Sequence, residues 1–77
     1  MDLDEDKIDA AVLALLRLTL HDERRVWKGH DWDALARLHE KELISNPVGK
    51  ARSVYLTDEG LEKSAHLLEQ LFGRDRT

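Results

Sequence analysis

The sequence predicts a mainly α-helical domain with a small β-hairpin, an α+β fold in the order helix, connector, helix, hairpin, helix. Apolar residues recur at helical spacing in three segments, and residues suited to N-caps precede the second and third of them. A turn with proline and glycine precedes a stretch in which polar and apolar residues alternate, as in a strand. With 77 residues, the chain is expected to form a single domain, residues 1–77, with a thin core. Hydrophobic residues make up 42% and charged residues 36%, which argues against a disordered tail and a membrane-embedded protein.

The first helix is predicted over residues 4–20, with acidic residues in its first turn. Its apolar stripe consists of Ile8, Val12, Leu15, Leu16 and Thr19. Leu13, Leu18 and Leu20 lie beside this stripe, so the helix is apolar around most of its circumference and should be buried. Because so short a chain has little material to cover it, we expect a homodimer with Leu13, Leu16 and Leu20 at the interface. The alternative is that the later helices and the tryptophan-containing loop cover it.

Residues 21–30 form a polar connector, in which Val26 and Trp27 can adopt a short extended conformation. Asp31 is a suitable N-cap for the second helix, which is predicted over residues 31–42. The connector is therefore expected to lead directly from the first helix into the second.

A β-hairpin is predicted over residues 43–56. Pro47 and Gly49 mark a turn, and the residues that follow alternate between polar and apolar, as in a half-buried strand. The simplest pairing joins residues 43–46 with residues 52–56.

The last helix is predicted over residues 58–72. Thr57 is a suitable N-cap and Gly73 a suitable stop. Its apolar face consists of Leu61, Ala65, Leu68 and Phe72.

The sequence gives no support for several function classes. Residues 1–6 are acidic where a signal peptide is basic, and the longest apolar stretch, residues 10–20, is too short to span a bilayer. A cytoplasmic protein without membrane contact is therefore expected. The chain has no cysteine, its histidines lack metal-ligand spacing, and it has no nucleophile motif or glycine-rich phosphate loop. We expect no catalytic residue, no metal, no cofactor and no enzymatic activity.

Positive charge is concentrated in the middle of the chain. The formal net charge is −5 over residues 1–23, +3 over residues 24–52 and −2 over residues 53–77. Tryptophan and arginine dominate protein-binding surfaces, and basic residues bind phosphates. The residues expected to bind a macromolecule are Arg24, Arg25, Trp27, Lys28, Arg37, Lys50 and Arg52, a surface that Tyr55 would extend.

Residues 35–61 resemble a known regulatory fold. The string LARLHEKELI, a short loop containing Lys50 and Arg52, and the string VYLTDEGL are similar to the helix–wing–helix half of winged-helix regulators. The nearest parallels are the multiple-antibiotic-resistance and phenolic-acid-repressor types. The resemblance implies an abbreviated winged-helix-like fold, with residues 31–42 at the recognition position and residues 47–52 as the wing. The whole chain also resembles short, uncharacterised bacterial proteins with the same DEDKID opening and WKG-x-DWDAL centre.

Two kinds of partner are compatible with this pattern. The resemblance favours double-stranded DNA, bound by residues 31–42 and the wing. Asp31 and Asp33, however, stand at the start of that helix, where carboxylates would repel phosphates. We therefore expect a protein partner first and retain double-stranded DNA as the alternative.

Trp27 and Trp32 flank Gly29 in the distinctive string WKGHDW. Both rings are expected to cap the small core, because a thin core uses its few large side chains. The other interpretation is a binding hot spot for an acidic partner.

Overall fold

The computed structural model describes residues 1–74, which form three helices and two short strands. The elements are α1 (Glu5–Arg17), β1 (Arg25–Trp27), α2 (Trp32–Glu40), β2 (Ser53–Tyr55) and α3 (Asp58–Phe72). α1 is the central element, because it contacts α2, α3 and β1. The predicted mainly helical α+β class with a small antiparallel sheet is confirmed.

Side-chain caps explain where the helices begin. The carboxylate of Asp31 accepts a hydrogen bond from the amide of Ala34 at 3.1 Å, and the hydroxyl of Thr57 accepts one from the amide of Gly60 at 3.0 Å. Asp4 caps α1 in the same way. The predicted N-caps of the second and third helices are confirmed, whereas the first two helices end two or three residues earlier than predicted.

The strand pairing corrects one prediction. Residues 53–55 pair with residues 25–27 of the connector, in the antiparallel register Arg25↔Tyr55, Val26↔Val54 and Trp27↔Ser53. Residues 43–46 contribute only the isolated bridge between Ile44 and Leu56. The physical reason lies in burial: Leu43 and Ile44 are both buried, so their segment lacks the alternation of a regular strand, whereas Val26 is buried between two exposed neighbours.

The core closes within one chain. Leu13 and Leu16 are fully buried and pack with residues of α2 and both strands. Leu20 is half-buried against the same cluster. The prediction that Leu13 and Leu16 lie at a dimer interface is wrong, because α2, α3 and the sheet cover both side chains within one chain. Leu20 is partly exposed, so its predicted place at an interface stays a prediction. The oligomeric state itself remains a prediction.

Within residues 1–74, no helix is both long enough and apolar enough to cross a membrane.

Candidate functional site

The outer face of the sheet presents aromatic and basic side chains. Alternation along the strands directs Val26 and Val54 into the core and leaves Arg25, Trp27 and Tyr55 exposed. Nη2 of Arg25 lies 3.3 Å from the hydroxyl oxygen of Tyr55, and its guanidinium carbon lies 5.2 Å from the centre of that ring. This cation–π contact between cross-strand partners fixes both side chains on the solvent side.

Next to this face, two loops border a shallow surface groove of about 430 Å³ that is wide open to solvent. We call it the tryptophan groove; it is lined by Trp27, Lys28, Gly29, Trp32, Gly49, Lys50, Ala51 and Arg52. Trp27 is 51% exposed and Trp32 is 59% exposed. The groove therefore combines two accessible indole rings with three cationic side chains.

Lys28 holds the two sides of the groove together. Its ammonium group donates hydrogen bonds to the carbonyl oxygens of Pro47 at 2.6 Å and Gly49 at 3.0 Å. The same group lies 5.6 Å from the ring centre of Trp32, within cation–π range. Lys28 thus anchors the loop after Ile44 and also positions one of the indole rings.

Two residues that precede β1 in the sequence, Thr19 and His21, orient Trp27. Its ring stacks on the imidazole of His21, with centroids 4.6 Å apart and planes inclined by 28°. Its amide donates a hydrogen bond to the hydroxyl of Thr19 at 2.8 Å. The ring is therefore presented in a defined orientation.

The prediction that Trp27 and Trp32 cap the core is wrong, because both side chains are more than half exposed to solvent. Trp27 occupies an outward position of β1, and Trp32 is the first residue of α2. The core beneath them is filled by aliphatic residues instead. The other interpretation, a binding hot spot, stays a prediction.

Arg37 lies away from the groove, in a cluster of charges between α1 and α2. Its guanidinium binds the carboxylate of Asp9, whose side chain is only 2% exposed, and its Nη1 lies 2.9 Å from Glu5. Lys41 contacts the other side of Asp9 at 3.1 Å. The structure thus separates Arg37 from the other predicted binding residues.

The charges in this cluster shift the pKa values of three of its side chains. Burial alone would raise the pKa of Asp9, but hydrogen bonds and positive charge from Arg37 and Lys41 outweigh it and lower that pKa below its usual range. The hydrogen bond to Asp9 in turn raises the pKa of Arg37 and that of Lys41 above their ordinary values. The cluster therefore remains ionised near neutral pH.

The remaining predicted binding residues do not all lie on the groove. Lys50 and Arg52 are exposed on its loop side. Arg24 precedes β1, at the end of the strand away from Trp27, and pairs with Asp58 at the start of α3 at 2.9 Å. Trp32 is not among the predicted binding residues. Its place in the string WKGHDW and its position directly after the N-cap Asp31, at the exposed start of a helix, could have indicated it.

Residues 1–74 contain no group of three or more histidine, cysteine, aspartate or glutamate side chains placed to hold a metal ion. The geometry of the groove, with stacked or exposed aromatic rings beside cations, is suited to noncovalent binding.

Comparisons with known proteins place the chain in a family. The "Uncharacterized protein y4hR" of Sinorhizobium fredii (strain NBRC 101917 / NGR234) is 61% identical over 74 residues, which cover 96% of this chain and 100% of that protein. No solved structure matches the chain. The relative confirms the expected resemblance to short, uncharacterised bacterial proteins. Because a family model matches residues 4–74, nearly the whole sequence, the chain belongs to the family described as Domain of unknown function (DUF6429).

Proposed function

We propose that this chain is a non-enzymatic, winged-helix-like module that binds an acidic segment of a protein partner. The binding site is the tryptophan groove together with the adjoining outer face of the sheet. The observation that carries the proposal is the exposure of Trp27 and Trp32 beside Lys28, Lys50 and Arg52.

The composition of this surface supports a protein ligand. Tryptophan, tyrosine and arginine are the residues that contribute most to binding at protein interfaces. Trp27, Trp32 and Tyr55 are each about half exposed. The chain has only four tryptophan, tyrosine and phenylalanine residues in total, so three of the four are on this surface. Exposure of three large rings on so small a surface costs solvation free energy unless a partner covers them.

The charge of the groove defines the partner further. Lys50 and Arg52 lie on the loop side and Arg25 on the outer face of the sheet, so cations flank the rings on these two sides, whereas Asp31 and Asp33 adjoin Trp32 on the helix side. An acidic segment with an aliphatic side chain would place carboxylates against these cations and its apolar group between the indoles. The groove volume of about 430 Å³ is sufficient for one or two side chains.

Double-stranded DNA remains the second candidate, because one arrangement favours it. β1 and β2 pair next to the basic loop 47–52, and Ile44 bridges Leu56, which together resemble a shortened wing. The geometry of α2 counts against it. Asp31 and Asp33 stand at its exposed start, and Arg37 is bound to Asp9 rather than free to contact a base.

Intrinsic fluorescence gives a direct test, because the only two tryptophans of the chain both line the groove. The protein is titrated with a synthetic peptide in which glutamate alternates with leucine, and separately with a mixed-sequence DNA duplex. We expect saturable quenching or a blue shift with the peptide. Arg52→Glu should abolish this response, whereas Lys63→Glu, on α3 and outside the groove, should preserve it.

The competing outcomes are distinct. Preferential binding of the duplex, with an affinity that falls steeply as salt increases, would replace the protein-partner proposal with the DNA alternative. An unchanged emission spectrum with both probes would overturn binding at the groove altogether.

A further inference from the structure

The residues that precede α1 form an exposed acidic segment with an aliphatic side chain. Asp2 and Asp4 flank Leu3, and Glu5 and Asp6 continue the negative charge into the first turn of the helix. The side chain of Leu3 is 65% exposed. We call residues 1–4 the pre-helix segment. It has the composition of the partner proposed above for the tryptophan groove.

We propose that the tryptophan groove of one copy of this chain binds the pre-helix segment of a second copy. The inference rests on the proposed function, because it names the acidic protein segment that the groove binds. Leu3 of the bound segment would lie between the rings of Trp27 and Trp32. The carboxylates of Asp2 and Asp4 would then lie against the cations of the groove.

The charges of the two surfaces are opposite. Residues 1–6 contain four acidic residues and no basic one. The groove exposes Lys50 and Arg52 on its loop side. Asp31 and Asp33 stand on the helix side, so opposite charges meet when the segment lies along the loop side. The charge distribution therefore favours one placement of the segment in the groove.

The spacing within the segment allows the apolar and the charged contacts to form together. Asp2 and Asp4 are the immediate neighbours of Leu3, so their Cα atoms lie about 3.8 Å from that of the leucine. Lysine and arginine carry their charge at the end of a long flexible stem. A leucine between the indoles therefore brings both carboxylates within reach of Lys50 and Arg52.

A second copy is a better source of the segment than the same chain. Oδ1 of Asp4 accepts a hydrogen bond from the amide of Lys7 at 3.2 Å, which holds Leu3 at the start of α1. Within one chain, Leu3 is exposed to solvent, and so are Trp27 and Trp32. The segment and the groove of a single copy are therefore both accessible to another copy.

Sedimentation equilibrium of the full chain tests the proposal. The wild-type mass should rise above 8.9 kDa as the concentration increases. Leu3→Lys removes the aliphatic group and adds a positive charge, so it should weaken association by roughly tenfold or more. Leu71→Lys is the matched control. Leu71 is 48% exposed on α3 and lies outside the groove and the segment, so this variant should associate like the wild type.

A mixing experiment identifies the two surfaces. Arg52→Glu alters the groove and keeps the segment, whereas Leu3→Lys alters the segment and keeps the groove. Each variant alone should stay at 8.9 kDa at a concentration at which the wild type associates. An equimolar mixture should associate, because the segment of the first variant fits the groove of the second. A mixture that stays at 8.9 kDa, or wild-type association that neither substitution weakens, would overturn the proposal.

Peptide binding separates this proposal from the proposed function. Leu3→Lys keeps the groove, so its tryptophan emission should still respond to the peptide in which glutamate alternates with leucine. A wild-type chain that binds this peptide but stays at 8.9 kDa at its highest soluble concentration would overturn the self-association and leave the proposed function intact. The absence of both responses would overturn both.

The emission of the unliganded variant distinguishes the source of the segment. If Leu3→Lys changed the tryptophan emission of a chain whose mass is 8.9 kDa with and without the substitution, the segment would bind the groove of its own chain. That result would overturn binding of a second copy. Emission that changes with the wild-type concentration, in parallel with the mass, would support it.

Discussion

The guanidinium of Arg37 holds the carboxylate of Asp9 through two nitrogen atoms. Nε lies 3.0 and 2.9 Å from the two carboxylate oxygens, and Nη2 lies 2.8 Å from Oδ1. Asp9 belongs to α1 and Arg37 to α2, and Lys41 adds a hydrogen bond at 3.1 Å. This contact satisfies a buried carboxylate and joins the first two helices.

The first prediction concerns acid stability. Because the pKa of Asp9 is lowered in the folded chain, its ionised form stabilises the fold above the ordinary carboxyl pKa of about 3.9. This stabilisation is lost as pH falls through the lowered pKa. Arg37→Gln removes the main cation, so the pKa of Asp9 should rise and stability should be lost at higher pH than in the wild type.

Thermal melts followed by circular dichroism across the acid range measure this shift. Arg24→Gln is the control, because Arg24 pairs with the exposed Asp58 and exposed pairs contribute little. Its pH profile should match that of the wild type. If Arg37→Gln and Arg24→Gln give the same profile, the Asp9 contact does not govern acid unfolding.

A second prediction concerns the end of α2. Glu42 has a φ of +61°, in the left-handed region that favours glycine. Its amide donates to the carbonyl of His39 at 2.9 Å, and the amide of Leu43 donates to Leu38 at 3.0 Å, the hydrogen bonds of a Schellman cap. Glu42→Gly should therefore stabilise the fold by about 1 kcal/mol in urea unfolding.

Two further substitutions show whether backbone strain is the cause. Glu42→Ala removes the same charge but keeps Cβ, so it should give no gain. Glu62→Gly places glycine inside the exposed part of α3 and should destabilise by about 1 kcal/mol. A gain in Glu42→Ala equal to that in Glu42→Gly would attribute the effect to charge instead.

A third prediction concerns Gly60, where α3 begins against the preceding loop. A Cβ added at Gly60 would overlap the carbonyl oxygen of Leu43, which is backbone and also accepts a hydrogen bond from Thr57 at 3.1 Å. Gly60→Ala should destabilise by about 2 kcal/mol despite the better helix propensity of alanine. Gly29→Ala meets no atom within 4 Å and should be nearly neutral by the same urea measurement. Equal stability of the two variants would contradict the close packing inferred here.

The local elements of the fold are predictable from the sequence, whereas the pairing of the strands is not. Asp31 and Thr57 are recognisable as N-caps from the sequence because a capping side chain binds an amide only two or three positions further along the chain. The partner of β2 was missed because a three-residue strand such as Arg25–Trp27 has too little alternation to distinguish it from a connector. β1 and β2 pair although α2 lies between them in the sequence, and the spacing of residues within a short segment gives no information on such a long-range contact.

The candidate site shows the same division. Lys50 and Arg52 were expected on the binding surface, and the structure places both on the tryptophan groove. Arg37 was grouped with them on charge alone, whereas its actual partner, Asp9, is 28 residues away in sequence. Leu13 was assigned to a dimer interface because the sequence does not show that α3 covers it. Exposed apolar residues lie instead at the C-terminal ends of these two helices, at Leu18 after α1 and at Phe72 in α3.

The last prediction separates the structural role of Lys28 from its charge. Its ammonium group is bound to the carbonyl oxygens of Pro47 and Gly49, so Lys28→Met should free the loop and raise amide exchange at residues 48–51 about fivefold, equivalent to about 1 kcal/mol. Lys50→Met removes one positive charge from the same groove without removing those hydrogen bonds, and its exchange rates should stay within about twofold of the wild type. Amide exchange measured by NMR distinguishes the two variants. Equal rates in both would mean that Lys28 contributes charge alone, whereas the expected difference would identify it as the residue that keeps the groove in shape for a partner.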